Sequence, residues 1–355
     1  MILYNIFHYG VALVVDTCFA VSVIVPVHNG GIKFRACLDS LEKCSPSPCE
    51  IIIVADGWSD GEWLVAKQRG HRTLVNERQN GPAHARNIGA AAAQGDILLF
   101  IDADVVVNSD VILRIQSLFS REPHLSAIIG SYDDTPFEAD LVSQYRNLLH
   151  HFIHQTSQED ASTFWGACGA VRKSVFVALG GFDAQYQRPS IEDIEFGYRM
   201  KKEGYEIRLQ KDLQVTHLKK WSLAVMLKTD IFNRAIPWSE LLLRQGSIAG
   251  DLNLSFMARL STVLVFLLTL LPLAWYFSTG YILASAACCL VLLAINRKFY
   301  LFLLQRRGLV FLLCTLPLHW LYFLYSGISF LYVFSKVTVL RRLIGANNSA
   351  KSFSS

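Results

Sequence analysis

From Val21 the chain alternates short apolar runs with amphipathic stretches. These are VSVIVPV over 21–27, a helical stretch to about Lys43, IIIVA over 51–55, a helix near Asp60 to Arg69, TLV over 73–75, an alanine-rich helix over 83–93 and ILLFI over 97–101. Strand and helix in strict alternation predict βαβ units and an α/β fold with a mostly parallel sheet. IIIV and ILLFI are apolar at every position, which fits strands covered by helices on both faces. From Ser109 to about Trp221 the pattern is mixed, with strands expected at 127–131 and 213–217 and a helix over 191–203. No internal repeat and no low-complexity linker interrupts it.

Past Arg259 the pattern changes. An uncharged run over 260–277, broken by Pro272, is followed by the turn Ser278-Thr279-Gly280 and a second uncharged run over 281–295. Two such runs joined by a tight turn predict a membrane hairpin. The next segment, expected as a loop, carries Arg297, Lys298, Arg306 and Arg307, and a third apolar run covers 309–334. Basic residues on both sides of the hairpin place its ends in the cytoplasm. A full crossing by the third run puts Lys336, Arg341 and Arg342 outside, against that tendency; a re-entrant run avoids this. The expected organisation is an N-terminal extension over 1–20, a soluble domain over 21–250, a transmembrane region of two or three spans over 258–335 and a basic tail over 336–355.

Composition supports the division. Of 355 residues, 52% are hydrophobic and 17% charged, too apolar for an ordinary soluble protein of this length. All 29 acids lie at or before Asp251, where they face 24 of the 33 bases, so the first part carries about −5 and the remaining nine bases sit in the apolar tail. An acidic domain on a basic, apolar tail fits a protein lying on an anionic membrane surface and excludes a nucleic-acid binder. The eight cysteines show no zinc spacing and read as reduced, buried small hydrophobes, which suits the cytoplasm. The first twenty residues are interrupted by Asn5, His8 and Asp16 and have no basic leading segment, so no signal peptide is expected.

The run Gly95-Asp96-Ile97-Leu98-Leu99-Phe100-Ile101-Asp102-Ala103-Asp104 carries the most chemistry. An apolar strand delivers two carboxylates, one residue apart, to its C-terminal end, where ligands of α/β sheets bind. Hard divalent cations such as Mg²⁺ or Mn²⁺ take carboxylate and phosphate oxygens together.

Five stretches, in order, resemble a membrane-associated family 2 glycosyltransferase with the GT-A fold. They are VSVIVPVHN (21–29), IIIVADGWSDG (51–61), GPAHARNIGAAAAQGDILLFIDADV (81–105), FWGACGAVRKSVFVALGGFD (164–183) and IEDIEFGYRMKKEGY (191–205). The resemblance implies a nucleotide-sugar donor, a divalent metal (Mn²⁺ or Mg²⁺) and transfer with inversion. It places Pro26 to Asn29 and Asp56 against the nucleotide; Ala55 stands where the family often has a further acid. It puts Arg86 near the nucleotide, where a guanidinium suits a phosphate or a pyrimidine edge, though a surface helix arginine fits the same position. Asp104 is the expected direct metal ligand and Asp102 a ribose or metal contact, with His217 as a third candidate ligand or a structural histidine. Glu192-Asp193 matches the family's acidic pair, Asp193 corresponding to the base. Trp165, Gly166, Arg234 and Trp238 are candidates for an acceptor site, or, for the last two, an interfacial anchor.

The Gln/Arg-x-x-Arg-Trp pattern of processive synthases is absent, Arg234-Ala235-Ile236-Pro237-Trp238 being the nearest stretch. Transfer of one sugar to a lipid or lipid-linked acceptor is therefore expected ahead of polymer synthesis. A nucleotidyltransferase on a related fold needs a basic glycine-rich loop that His28-Asn29-Gly30-Gly31 lacks. A non-catalytic scaffold would be favoured by loss of the acid pairs, and both are present.

Overall fold

The computed structural model describes residues 19–57, 61–245, 255–274 and 278–352. Most of the expected N-terminal extension, the expected helix start at Asp60, the boundary near Asp251 and the end of the first apolar run lie outside them.

The first half follows the apolar runs. It comprises β1 (Val21–Val27), α1 (Gly31–Glu42), β2 (Glu50–Asp56), α2 (Trp63–Gln68), β3 (Arg72–Asn76), α3 (Pro82–Ala92) and β4 (Ile97–Ile101). The four strands are parallel, in the order β3-β2-β1-β4. Alternation along them feeds two apolar layers: Val23 and Val25 pack with Phe34 and Leu38 on one face, while Ile24, Leu98 and Phe100 pack with the alanines of α3 on the other. Small residues let α3 lie tight on the sheet, since a Cβ at Gly89 would sit 2.5 Å from Ile24 Cγ2.

The second half adds β5 (Val105–Val107), α4 (Val111–Arg121), β6 (Leu125–Tyr132), α5 (Leu141–Thr156), β7 (Cys168–Arg172), α6 (Lys173–Ala178), α7 (Glu192–Lys202) and β8 (Glu206–His217). The sheet continues β4-β7-β6-β8-β5, with β7 antiparallel to both its neighbours and β5 antiparallel to β8. These short strands make the sheet mixed, with helices on both faces. β8 runs twelve residues, longer than the expected 213–217, because its first part pairs β6 as well.

Beyond it come α8 (Leu223–Lys228), a π-helical turn (Thr229–Ala235), α9 (Ile236–Gln245), α10 (Phe256–Leu270), a 3₁₀ turn (Leu271–Ala274), α11 (Gly280–Ile295) and α12 (Arg297–Ser352). The expected loop around Arg297 to Arg307 is helical: α12 starts at Arg297 and breaks only at Gly308, whose φ of 82° leaves the helical region. Phe256–Leu273 and Arg297–Val339 are long and apolar enough to cross a membrane, and only 17% and 22% of their most apolar windows are buried, where a core helix would be mostly buried. The soluble and apolar parts nevertheless share a core. Tyr145 and Leu148 of α5, with Trp221 and Met226, pack against Phe299, Tyr300 and Leu303 of α12.

Candidate active site

A cavity of about 730 Å³ opens at the C-terminal ends of β1, β2 and β4. Pro26, Asn29, Asp56, Arg86, Asp102, Asp104, Trp165, Glu192, Asp193, His217, Arg234 and Trp238 all line it; Gly166 lies beside it, joined to Asp193. Residues far apart in the chain therefore converge where the strand pattern expected a ligand.

The Asp102-Ala103-Asp104 turn is held from both sides. Asp102 N–H donates to Ala167 O at 3.3 Å, and Leu218 N–H donates to Asp104 O at 2.8 Å. Pairing of Val105 with His217 in the β5–β8 ladder brings the imidazole to the second carboxylate, with His217 Nε2 3.5 Å from Asp104 Oδ2. Burial opposes ionisation of Asp104, but His217 and the Lys219 and Lys33 ammoniums outweigh it and hold its carboxyl down at about 2. Tyr132 stacks on His217, ring centroids 4.4 Å apart and planes 6° from parallel, fixing its orientation.

This donor set fits a divalent cation in part. Among the described residues no three His, Cys, Asp or Glu side chains converge as a complete cage. Asp104 and His217 offer an ionised carboxylate and an imidazole at one point. Cations such as Mg²⁺ commonly take one or two carboxylates and complete their shell with phosphate oxygens and water.

Arg86 lines the cavity and is not a surface helix arginine. It lies within α3, fully enclosed, with Nη2 donating to Asp102 Oδ1 at 2.7 Å and Nη1 to Glu192 Oε1 at 2.9 Å. Burial disfavours its charge, yet the carboxylates of Asp102, Glu192 and Asp193 reverse this and raise its pKa. Both terminal nitrogens thus serve protein carboxylates, and the guanidinium couples the two acid pairs. Asp56 also lines the cavity while bonding to backbone. Oδ1 accepts from Asn80 N–H at 2.9 Å and Oδ2 from Gly81 N–H at 2.8 Å, so the carboxylate shapes the loop that leads into α3.

The two acids at the start of α7 have separate surroundings. Glu192 is 4% exposed, its Oε2 accepting from Ser190 N–H at 2.9 Å while Oε1 meets Arg86. Asp193 accepts from Gly166 N–H at 3.0 Å on Oδ2 and from Ile194 N–H at 2.8 Å on Oδ1, leaving a lone pair on each oxygen. Burial, then the Glu192 charge, raises its carboxyl to about 6, against the opposing pull of its two N–H donors and Arg86. Gly166 must lack a side chain, since a Cβ there would lie 2.9 Å from Arg86 Cζ.

The remaining candidates form the wall toward the apolar helices. Trp165 packs edge-on against Tyr132 at 4.8 Å and tilts over His150 at 4.9 Å. Trp238 Nε1–H donates to Tyr198 Oη at 3.0 Å. Arg234 is 3.8 Å from Asp230, a carboxylate already bound to Arg146 at 2.7 Å. The sequence reading missed Tyr132, Arg146 and the pair His150 and His154. The His-x-x-x-His spacing on α5 was the available signal; burial lowers the pKa of both imidazoles and favours their neutral forms.

Comparison with known proteins agrees with the geometry. Residues 22–180 match the profile described as Glycosyl transferase family 2. An uncharacterized glycosyltransferase of Haemophilus influenzae is 28% identical over 189 residues, 49% of this chain and 60% of that protein. Glycosyltransferase GlyA of Streptococcus pneumoniae is 24% identical over 220 residues, 58% of this chain and 31% of that protein. The chain thus spans less than two thirds of either relative. The mannosyltransferase PcManGT of Pyrobaculum calidifontis, solved with GDP-Man and Mn²⁺, superposes with a TM-score of 0.57 at 17% identity, over 89% of this chain and 88% of that one. That likeness is one of fold.

Proposed function

The chain carries a family 2 glycosyltransferase domain with a GT-A fold, and on that premise we propose that it moves one sugar from a nucleotide-sugar donor to a lipid or lipid-linked acceptor, with inversion, at the cytoplasmic face of a membrane. One observation carries the reading. The Asp104 and His217 pair and the Asp193 carboxylate face a single cavity and are tied together through Asp102, Arg86 and Glu192.

Asp104 and His217 would hold a divalent cation, which when bound would supply charge neutralisation for the leaving diphosphate. The protein's own residues do the rest. Lys219, beside Asp104, adds positive charge on the same side. Across the cavity, Asp193 takes the proton from the acceptor hydroxyl as its oxygen bonds to the anomeric carbon. The carbon–oxygen bond to the diphosphate breaks, and the nucleoside diphosphate leaves with the electron pair. Asp193 suits this role better than Glu192, because Glu192 is held in a buried ion pair with Arg86 whereas Asp193 accepts only from two backbone N–H groups, and burial raises its pKa toward that of a working base. Membrane action rests on the two long apolar helices and their low burial.

The test is release of nucleoside diphosphate from a panel of nucleotide sugars by the full chain in lipid nanodiscs, with Mn²⁺ and with EDTA. Turnover of one or a few donors in Mn²⁺, abolished by EDTA, supports the proposal. Absence of both binding and turnover across the panel contradicts it.

A further inference from the structure

The apolar stretch after Gly308 is held by the soluble domain along its whole length. At its start Arg307 donates from Nε to Gln144 Oε1 at 2.7 Å and from Nη2 to Asp134 O at 3.1 Å, while Arg306 pairs with Asp134 at 2.7 Å. Midway, Tyr325 O–H donates at 2.6 Å to the buried Asp230, whose other oxygen accepts from Arg146 at 2.7 Å. Near its end Lys336 pairs with Glu240 of α9 at 3.3 Å.

These contacts are incompatible with a transverse crossing. At ~1.5 Å per residue, Arg307 and Lys336 lie roughly 44 Å apart along the helix, more than the ~30 Å hydrocarbon core. A crossing segment entering at Arg307 would carry Tyr325 about 27 Å along its axis, nearly through the ~30 Å core, and Asp230 and Arg146 with it. Arg146 and Arg234 line the active-site cavity, so the cavity wall would follow. Charged groups carried into the hydrocarbon are costly unless paired or wetted. Glu240 would then have to emerge on the far side. Yet the outer face of the same helix is apolar, and it is uncovered at both ends of the segment, where Leu309, Val310, Leu313, Ile328, Leu331 and Phe334 are each about half exposed or more; between them Trp320, Phe323, Leu324 and Gly327 pack against α10 of the hairpin.

We propose that the part of α12 after Gly308 lies in the plane of the membrane interface, its outer apolar face against lipid and its inner face against the catalytic domain, so that Lys336 and everything after it stay on the catalytic side. The partner is the headgroup and acyl boundary of a bilayer, which takes an apolar helix face flanked by basic residues. Only the α10–α11 hairpin then enters the bilayer. The conflict between the third apolar run and the basic residues behind it disappears, since they never cross. The inference rests on the membrane reading above.

The test uses the full chain in sealed membrane vesicles of both orientations, labelled with a membrane-impermeant maleimide and read peptide by peptide by mass spectrometry. Exposed Cys49 is the native reporter of the catalytic side. Lys336→Cys should be labelled in the same vesicle orientation as Cys49, and Thr279→Cys, at the hairpin tip, should not. A protease-sensitive tag after Ser355, in the chain with no substitution, should be removed from the Cys49 side. Labelling of Lys336→Cys, or digestion of the tag, only from the opposite side overturns the inference while leaving the membrane reading intact. Loss of the chain from the membrane fraction on carbonate washing overturns the membrane reading, and the inference with it.

Discussion

Arg86 Nη1 donates to Glu192 Oε1 at 2.9 Å, joining α3 to α7 across 106 residues of sequence, with both side chains about 5% exposed. Removing one partner leaves a buried charge uncompensated. Arg86→Met should therefore lower stability by about 3–5 kcal/mol. Adding Glu192→Gln to it should recover part of that loss, a non-additivity that denaturant unfolding of the two single variants and the double variant would measure. Strict additivity would show that the two groups are not coupled.

Asp104→Ala removes the carboxylate held ionised beside His217. Donor affinity, measured by calorimetry in Mn²⁺, should fall about 10- to 100-fold, the scale of one charge-assisted contact. Chelation of the wild-type protein should do the same. Unchanged binding in both experiments would remove Asp104 from the donor site.

Gly166→Ala places a methyl 2.9 Å from the Arg86 guanidinium, on the residue whose N–H holds Asp193. Overpacking of this kind costs about 1–3 kcal/mol. Because the displaced groups are Arg86 and Asp193, kcat should drop more than donor affinity does, and steady-state kinetics beside a donor titration would separate the two.

The Asp193 carboxyl is raised to about 6 in the folded chain, above the ~3.9 of an unfolded aspartate. Above about pH 6 the folded protein holds it ionised against burial and the Glu192 charge, so its ionisation there works against folding; below the unfolded value both states are protonated and the penalty is gone. Asp193→Asn should accordingly raise the Tm by a few degrees at pH 7.5 and leave it unchanged near pH 3. Wild-type kcat/KM should fall as pH drops through about 6, where the base becomes protonated.

The parts of this structure legible in the sequence are those whose signal is local. β2 and β4 announce themselves because their IIIVA and ILLFI runs are apolar at every position, β1 because only Ser22 interrupts it, and the Asp102 and Asp104 carboxylates because they follow such a strand. β5, three residues long, is too short to carry a period, and it and β7 bring antiparallel pairs into the far side of the sheet, where β6 and β8 stay parallel. Without β5 nothing in the sequence pairs His217 with Asp104. Arg86 stands in a recognisable Gly-Pro-x-x-x-Arg context, but its partners lie 16 and 106 residues away, so its service to protein carboxylates is visible only in three dimensions. The basic segment at Arg297 to Arg307 reads as a loop by charge. It is helical because its arginines find partners, Arg306 and Arg307 reaching Asp134 and Gln144 of the soluble domain.

The measurement that bears most directly on the proposed chemistry is turnover of Asp193→Asn beside its donor affinity. The substitution keeps the size of the side chain and an oxygen for the Gly166 N–H, but the amide cannot take a proton. With Asp193 as base, donor affinity stays within a few-fold of wild type while kcat falls about 10²-fold or more. Near-normal turnover in the variant would remove Asp193 from the proton transfer and contradict the account.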